Sequence, residues 1–161
     1  MVFNHKESDF GCLNPPTLTE KQMADVLLIH LKSFGYKAVK ELVLNESLFD
    51  IAKLTGKKIS KVRIDIAALK NDKICFIEIE NGCWVTHPLL YRNFAHRVFL
   101  AYPAEVKTPT DKEQIAYAKA EGLGVVTIST AESIKQLVPP KDRPMIKSLE
   151  KAIISLINQK L

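Results

Sequence analysis

Three cysteines in 161 residues, Cys12, Cys75 and Cys83, are too few and too irregularly spaced for a disulfide framework, and no CxxC pair is present to begin a zinc site. That usage points to a reducing, cytoplasmic setting. His5, Cys12, Cys83 and His87 match no common zinc pattern. No run of about 18 apolar residues occurs, so neither a membrane span nor a membrane partner is expected, and the opening MVFNHKESDFGC lacks the apolar stretch of a signal peptide. Also missing are GxSxG, GxGxxG and the phosphate-cradling glycine loop, which removes the common hydrolase, dinucleotide and nucleoside-triphosphatase readings. Internal repeats and low-complexity tracts are absent.

What is present suits one soluble domain. Hydrophobic residues make up 47% of the chain, enough for a core. A net charge of +5, from 23 Lys and Arg against 18 Asp and Glu, favours an anionic partner. Residues 1–16 are polar, end in NPP and show no periodicity, so they read as an N-terminal arm, with 17–161 as a single domain that includes a C-terminal helix. From Thr17, the residues Met23, Ala24, Leu27, Leu31 and Phe34 form a helical stripe that Gly35 stops. YKAVKELVLN alternates as a strand, and two more strands flank Asn71-Asp72. A second helix is predicted from about Pro88, a strand over RVFLAY, a third helix over TPTDKEQIAYAKAEG and a buried strand over LGVVTIS. A last helix carries Met145, Leu149, Ile153 and Leu156 at helical spacing. That order predicts an α/β fold with a mixed central sheet of about five strands and flanking helices.

Asp65, Glu78 and Glu80 stand inside two otherwise apolar strands. By alternation, Arg63, Asp65 and Ala67 point one way, and Val62, Ile64, Ile66 and Ala68 the other. Glu78 and Glu80 share a face with Ile74 and Phe76, which need cover, while Cys75 faces the other way and reads as core. If Asn71-Asp72 is a two-residue turn, Lys70 pairs with Lys73 and Asp65 stands opposite Glu78. Cross-strand Cβ atoms are about 4.5–5.5 Å apart, a distance at which like charges repel unless a proton or a cation lies between them. A hard divalent ion such as Mg²⁺ or Mn²⁺ is held by such oxygens. Glu20 extends the core stripe of the first helix and has two readings, a further oxygen ligand or the acid of a capping box with Thr17.

The pattern TEKQMADVLLIHLKSFG, then RID, then KICFIEIE, followed by helix and strand, resembles the PD-(D/E)XK nuclease superfamily over roughly residues 17–130. The resemblance implies an αβββαβ restriction-endonuclease-like core, hydrolysis of phosphodiester bonds in DNA with Mg²⁺ or Mn²⁺, and a homodimer. Carried onto matching positions, it makes Asp65 the motif's aspartate, Glu78 its second acid and Glu20 the glutamate of the first helix. The chain departs from the family where the motif has lysine and this sequence has Glu80. By parity Lys61 and Arg63 share the face of Asp65, so either is a stand-in for that cation; otherwise Glu80 is a general base or a further ligand. The same departure supports a second reading, a nuclease-fold module that binds nucleic acid or a partner protein without cutting.

Between Asp50 and Asp65 lie Lys53, Lys57, Lys58, Lys61 and Arg63 with no acid among them, a segment suited to phosphate-backbone contacts with DNA. Trp84 and Tyr91, just past the acids, either pack in the core or border the site.

Overall fold

The computed structural model describes residues 15–46 and 49–161; apart from Pro15 and Pro16, the expected arm lies outside the described residues, as do His5 and Cys12. Helix α1 (Glu20–Ser33) forms where the stripe predicts it and buries Met23, Ala24, Leu27 and Leu31. Its capping box is not the expected Thr17–Glu20 pair. Thr19 Oγ1 accepts from the Gln22 amide at 3.1 Å and Gln22 Oε1 accepts from the Thr19 amide at 2.8 Å. Glu20 is therefore spared that role and stands exposed in the first turn.

Six strands form one mixed sheet in chain order: β1 (Lys37–Asn45), β2 (Lys61–Lys70), β3 (Lys73–Ile79), β4 (Arg97–Pro103), β5 (Gly124–Ile128) and β6 (Ile134–Val138). Pairing is antiparallel from β1 to β3, parallel from β3 to β5, and antiparallel again to β6. The count exceeds the expected five because of β6, an edge strand that buries Val138 and exposes Lys135, Gln136 and Leu137. An edge strand with so little burial has no apolar run to reveal it.

Among the described residues there are four more helices: α2 (Ile51–Thr55), α3 (Thr86–Leu89), α4 (Asp111–Glu121) and α5 (Lys147–Lys160). The helix expected from Pro88 is the single turn α3, which begins two residues earlier, after which the chain turns inward to bury Tyr91, Phe94 and Ala95. In α5 the buried stripe is Leu149, Ile153 and Ile157, an even i, i+4 series; Met145 lies before the helix. One face of the sheet packs Ile66, Ala68, Cys75 and Ile77 under α1. The other packs Ile74, Phe76 and Leu100 under α4 and α5, which supplies the cover that Ile74 and Phe76 need. Among the described residues no helix is long and apolar enough to cross a membrane.

The hairpin between β2 and β3 matches its prediction: Asn71 (φ +52) and Asp72 (φ +62) make the turn and Lys70 pairs with Lys73. The alternation along β2 does not. Ala67 and Leu69 lie in the same core cluster as Val62 and Ile64, while Ile66 and Ala68 face α1. The switch occurs at Asp65 and its β1 neighbour Glu41, whose φ is +56, and the register is the same on both sides, Lys40 with Ile66 and Leu42 with Ile64. Matched irregularities in both strands flip the faces without slipping the pairing. The face shared by Arg63, Asp65 and Ala67 therefore does not exist. Past the break Arg63 turns to the α1 side, and Asp65 stands at the seam.

Candidate functional site

Beyond Ile66–Ile77 no further β2–β3 pairs form, while β3 stays with β4 through Glu78–Leu100 and Ile79–Ala101. Asp65 fills the resulting fork, its Oδ2 accepting from the Ile79 amide at 2.8 Å. A side-chain carboxylate thus takes the place of a backbone acceptor. Glu78 lies beside it, 1% exposed, and its Oε1 has no hydrogen-bond partner among the described residues.

Burial pushes the Glu78 carboxyl up to about 10. The Asp65 carboxylate acts in the same direction, accepting from a protonated Glu78 and repelling a charged one, and Glu80 adds to the repulsion; the Asp65 backbone amide opposes them. At neutral pH Glu78 holds its proton unless a cation replaces it.

Glu80 reaches outward, with Oε2 3.3 Å from His87 Nδ1, and His87 Nε2 is 2.9 Å from the Tyr91 hydroxyl. Tyr91 is buried, and burial first, then the charges of Glu78, Asp65 and Glu80, raise its phenol well above the usual range against the opposing pull of Arg63. A neutral Tyr91 that donates to His87 Nε2 leaves Nδ1–H to donate to Glu80. Sequence reasoning missed this chain. Its only local signal is the i, i+4 spacing of His87 and Tyr91 soon after the acids.

On the α1 side a cavity of about 410 Å³ brings Glu20 and Asp65 together with Lys21, Lys40, Glu41 and Arg63. Lys40 pairs with Asp25 at 2.8 Å and Arg63 with Glu41 at 3.2 Å, so both cations already have acidic partners. Lys61 is exposed at the start of β2. Glu78 follows the parity of Ile74 and Phe76, toward the opposite face. The structure thus unites Asp65 with Glu78 and Asp65 with Glu20, but does not collect all three. Among the described residues no group of three or more His, Cys, Asp or Glu side chains forms a ready metal cage. The Asp65–Glu78 pair still suits Mg²⁺ or Mn²⁺, because a buried carboxylate with an unpartnered oxygen beside a second acid offers two ligands, and Mg²⁺ usually takes one or two carboxylates and keeps several waters.

Lys53, Lys57, Lys58, Lys61 and Arg63 are all exposed. Asp50 caps α2 by accepting from the Lys53 amide at 3.1 Å, and Gly56 ends it at φ +74. Trp84 is partly exposed and donates from Nε1 to Asn81 Oδ1 at 3.1 Å. Cys83 is buried, its thiol raised chiefly by that burial, while His87 is engaged with Glu80 and Tyr91.

No family model and no curated protein matches the chain. Among solved structures, SPO1766, a protein of unknown function from Silicibacter pomeroyi, is similar at a TM-score of 0.60 and 18% identity over 88% of this chain and 86% of that one. The two share a fold. AF1548, another protein of unknown function, aligns at a TM-score of 0.43 and 10% identity over 66% of this chain and 57% of that one.

Proposed function

We propose that the chain is a metal-dependent endonuclease-like protein that hydrolyses phosphodiester bonds in DNA, as its resemblance to the PD-(D/E)XK superfamily implies. The observation that carries this reading is the Asp65–Glu78 pair at the fork of β2 and β3, one acid buried with an unpartnered oxygen. The order α1, β1, β2, β3, α3, β4, with the short α2 set between β1 and β2, supports it as well. Asp65 and Glu78 would hold Mg²⁺ or Mn²⁺, with Glu20 across the α1-side cavity. Such an ion supplies Lewis acidity and lowers the pKa of a bound water. Glu80, oriented by His87, is the base within reach of the pair, and the exposed lysines from Lys53 to Lys61 supply backbone contacts. A reducing, cytoplasmic setting goes with this reading, since Cys75 and Cys83 are free thiols.

A second reading rests on position 80. Glu80 bonds to His87 where the motif has a cation, which favours a module of the same fold that binds nucleic acid or a partner protein without cutting. Incubation with plasmid and single-stranded DNA in Mg²⁺ or Mn²⁺ decides between them. Cleavage that disappears in Asp65→Asn supports hydrolysis; intact DNA under every condition, together with no Mn²⁺-induced rise in melting temperature, leaves the binding module.

A further inference from the structure

We infer that the cleft between α2 and α3 is a subsite for one unpaired nucleotide, so that the protein engages single-stranded nucleic acid. The inference rests on the nucleic-acid reading above and narrows its substrate class. The cleft, about 380 Å³, is lined by Lys53, Thr55, Thr86, Arg92, Asn93 and Tyr117. Its walls are held together: Asn93 Nδ2 donates to the Leu54 carbonyl at 2.8 Å, which fixes α2 against the segment after α3, and Arg92 is anchored by an ion pair with Glu121.

The chemistry divides between its two ends. Lys53 is exposed, its backbone amide held by the Asp50 cap, and its ammonium begins the basic segment and meets a phosphate as a point charge. Tyr117 is a large aromatic side chain left 52% exposed on α4, with no ring stacked on it among the described residues, and it offers a face on which a base can lie. Leu54, Leu89 and Leu90 also line the cleft, an apolar wall against which a base can pack. A base in a duplex is already stacked on both faces, so only an unpaired one can lie on Tyr117. Thr86 precedes His87, the partner of Glu80, so a strand lying in the cleft leads toward the acids.

The test is fluorescence anisotropy with a labelled oligothymidylate and a duplex of equal length, in chelator so that no cleavage intervenes. Wild type should bind the single strand more tightly; Tyr117→Ala should weaken that binding about tenfold, and Tyr117→Phe should restore it. Lys53→Ala should reduce the salt slope by about 0.7. Equal affinity for single strand and duplex, no binding of either, or single-strand affinity indifferent to Tyr117→Ala overturns the inference. Because no metal is present, binding through the cleft by a protein that never cleaves upholds this subsite and sinks hydrolysis, while metal-dependent cleavage with no effect of Tyr117 does the reverse.

Discussion

Glu78→Gln should stabilise the metal-free protein, and the size of the gain follows from where its proton is held. The unfolded chain releases that proton near 4.5 and the folded chain near 10, a shift caused first by burial and then by Asp65. Between those values folding takes up a proton, so the group's contribution to stability is complete below 4.5 and is lost as pH rises, by about 1.4 kcal/mol per pH unit, until the folded carboxyl ionises. At neutral pH the accumulated loss is ~3 kcal/mol. The amide has nearly the same shape, still donates toward Asp65 and carries no charge to desolvate. Urea unfolding of both proteins over about pH 5 to 9 should show wild type weakening and the variant level, with a difference at neutral pH of roughly 2–4 kcal/mol, or about 4–16 °C in melting temperature for a chain this long. Mn²⁺ should recover the lost stability in wild type alone, since a cation replaces the proton. Parallel pH profiles for the two proteins would refute the reasoning, because they would mean that Glu78 ionises in the folded state at no cost.

Asp65→Asn, which removes a charge that helps hold the proton on Glu78 while keeping an acceptor for the Ile79 amide, should make the decline of stability with pH level off at a lower pH than in wild type, whereas Asp65→Ala should cost about 1–3 kcal/mol in chemical unfolding by orphaning that amide. Replacing Lys57, Lys58 and Lys61 together by alanine should weaken DNA binding alike across sequences and flatten its salt dependence, read by titration at several ionic strengths. His96 Nδ1 accepts from the Ile74 amide at 2.9 Å, so its proton is on Nε2, 2.8 Å from Glu150, whose carboxyl this bond holds below its ordinary 4.5. The stability from that depressed value is present above 4.5 and lost as pH falls through it, so acid unfolding of Glu150→Gln should lack this component. Asp72→Gly should stabilise the β2–β3 hairpin by roughly 0.5–1 kcal/mol in thermal unfolding, since φ +62 strains any residue with a Cβ.

Features set by near neighbours in the chain were legible. Helix α1 and the Asn71-Asp72 turn follow from periodicity and turn chemistry, and the turn alone brings Asp65 toward Glu78. The capping box was misplaced because Thr17–Glu20 and Thr19–Gln22 satisfy the same local pattern, and only the docking of the helix chooses between them. The face switch at Asp65 could not be read, because Val62 to Ala68 alternates plausibly through it and its mate is the left-handed Glu41 on another strand. Past the same break Arg63 lines the α1-side cavity with Asp65 and pairs with Glu41. The link from Glu80 through His87 to Tyr91 was not legible, because only the tertiary structure brings Glu80 to His87.

Electrostatics separates binding from chemistry in this arrangement. Burial first, and then the acids, raise the Tyr91 phenol, and with Glu78 holding its proton at neutral pH the charges of Asp65 and Glu80 remain to repel a phosphate brought to them unaided. Nor is relief to be found in Lys40 and Arg63, which already offset Asp25 and Glu41. The exposed lysines of the segment from Lys53 to Lys61 are instead displaced from the acids along the chain, where they can hold a nucleic acid with no metal present. The proton on Glu78 removes one of the three charges but leaves those of Asp65 and Glu80 and supplies no nucleophile, whereas a divalent cation would offset the remaining charge and lower the pKa of a bound water. On the nuclease reading proposed above, DNA binding should survive in chelator while cleavage requires added Mg²⁺ or Mn²⁺; cleavage in chelator, or binding that vanishes with the metal, would refute this account of the charges.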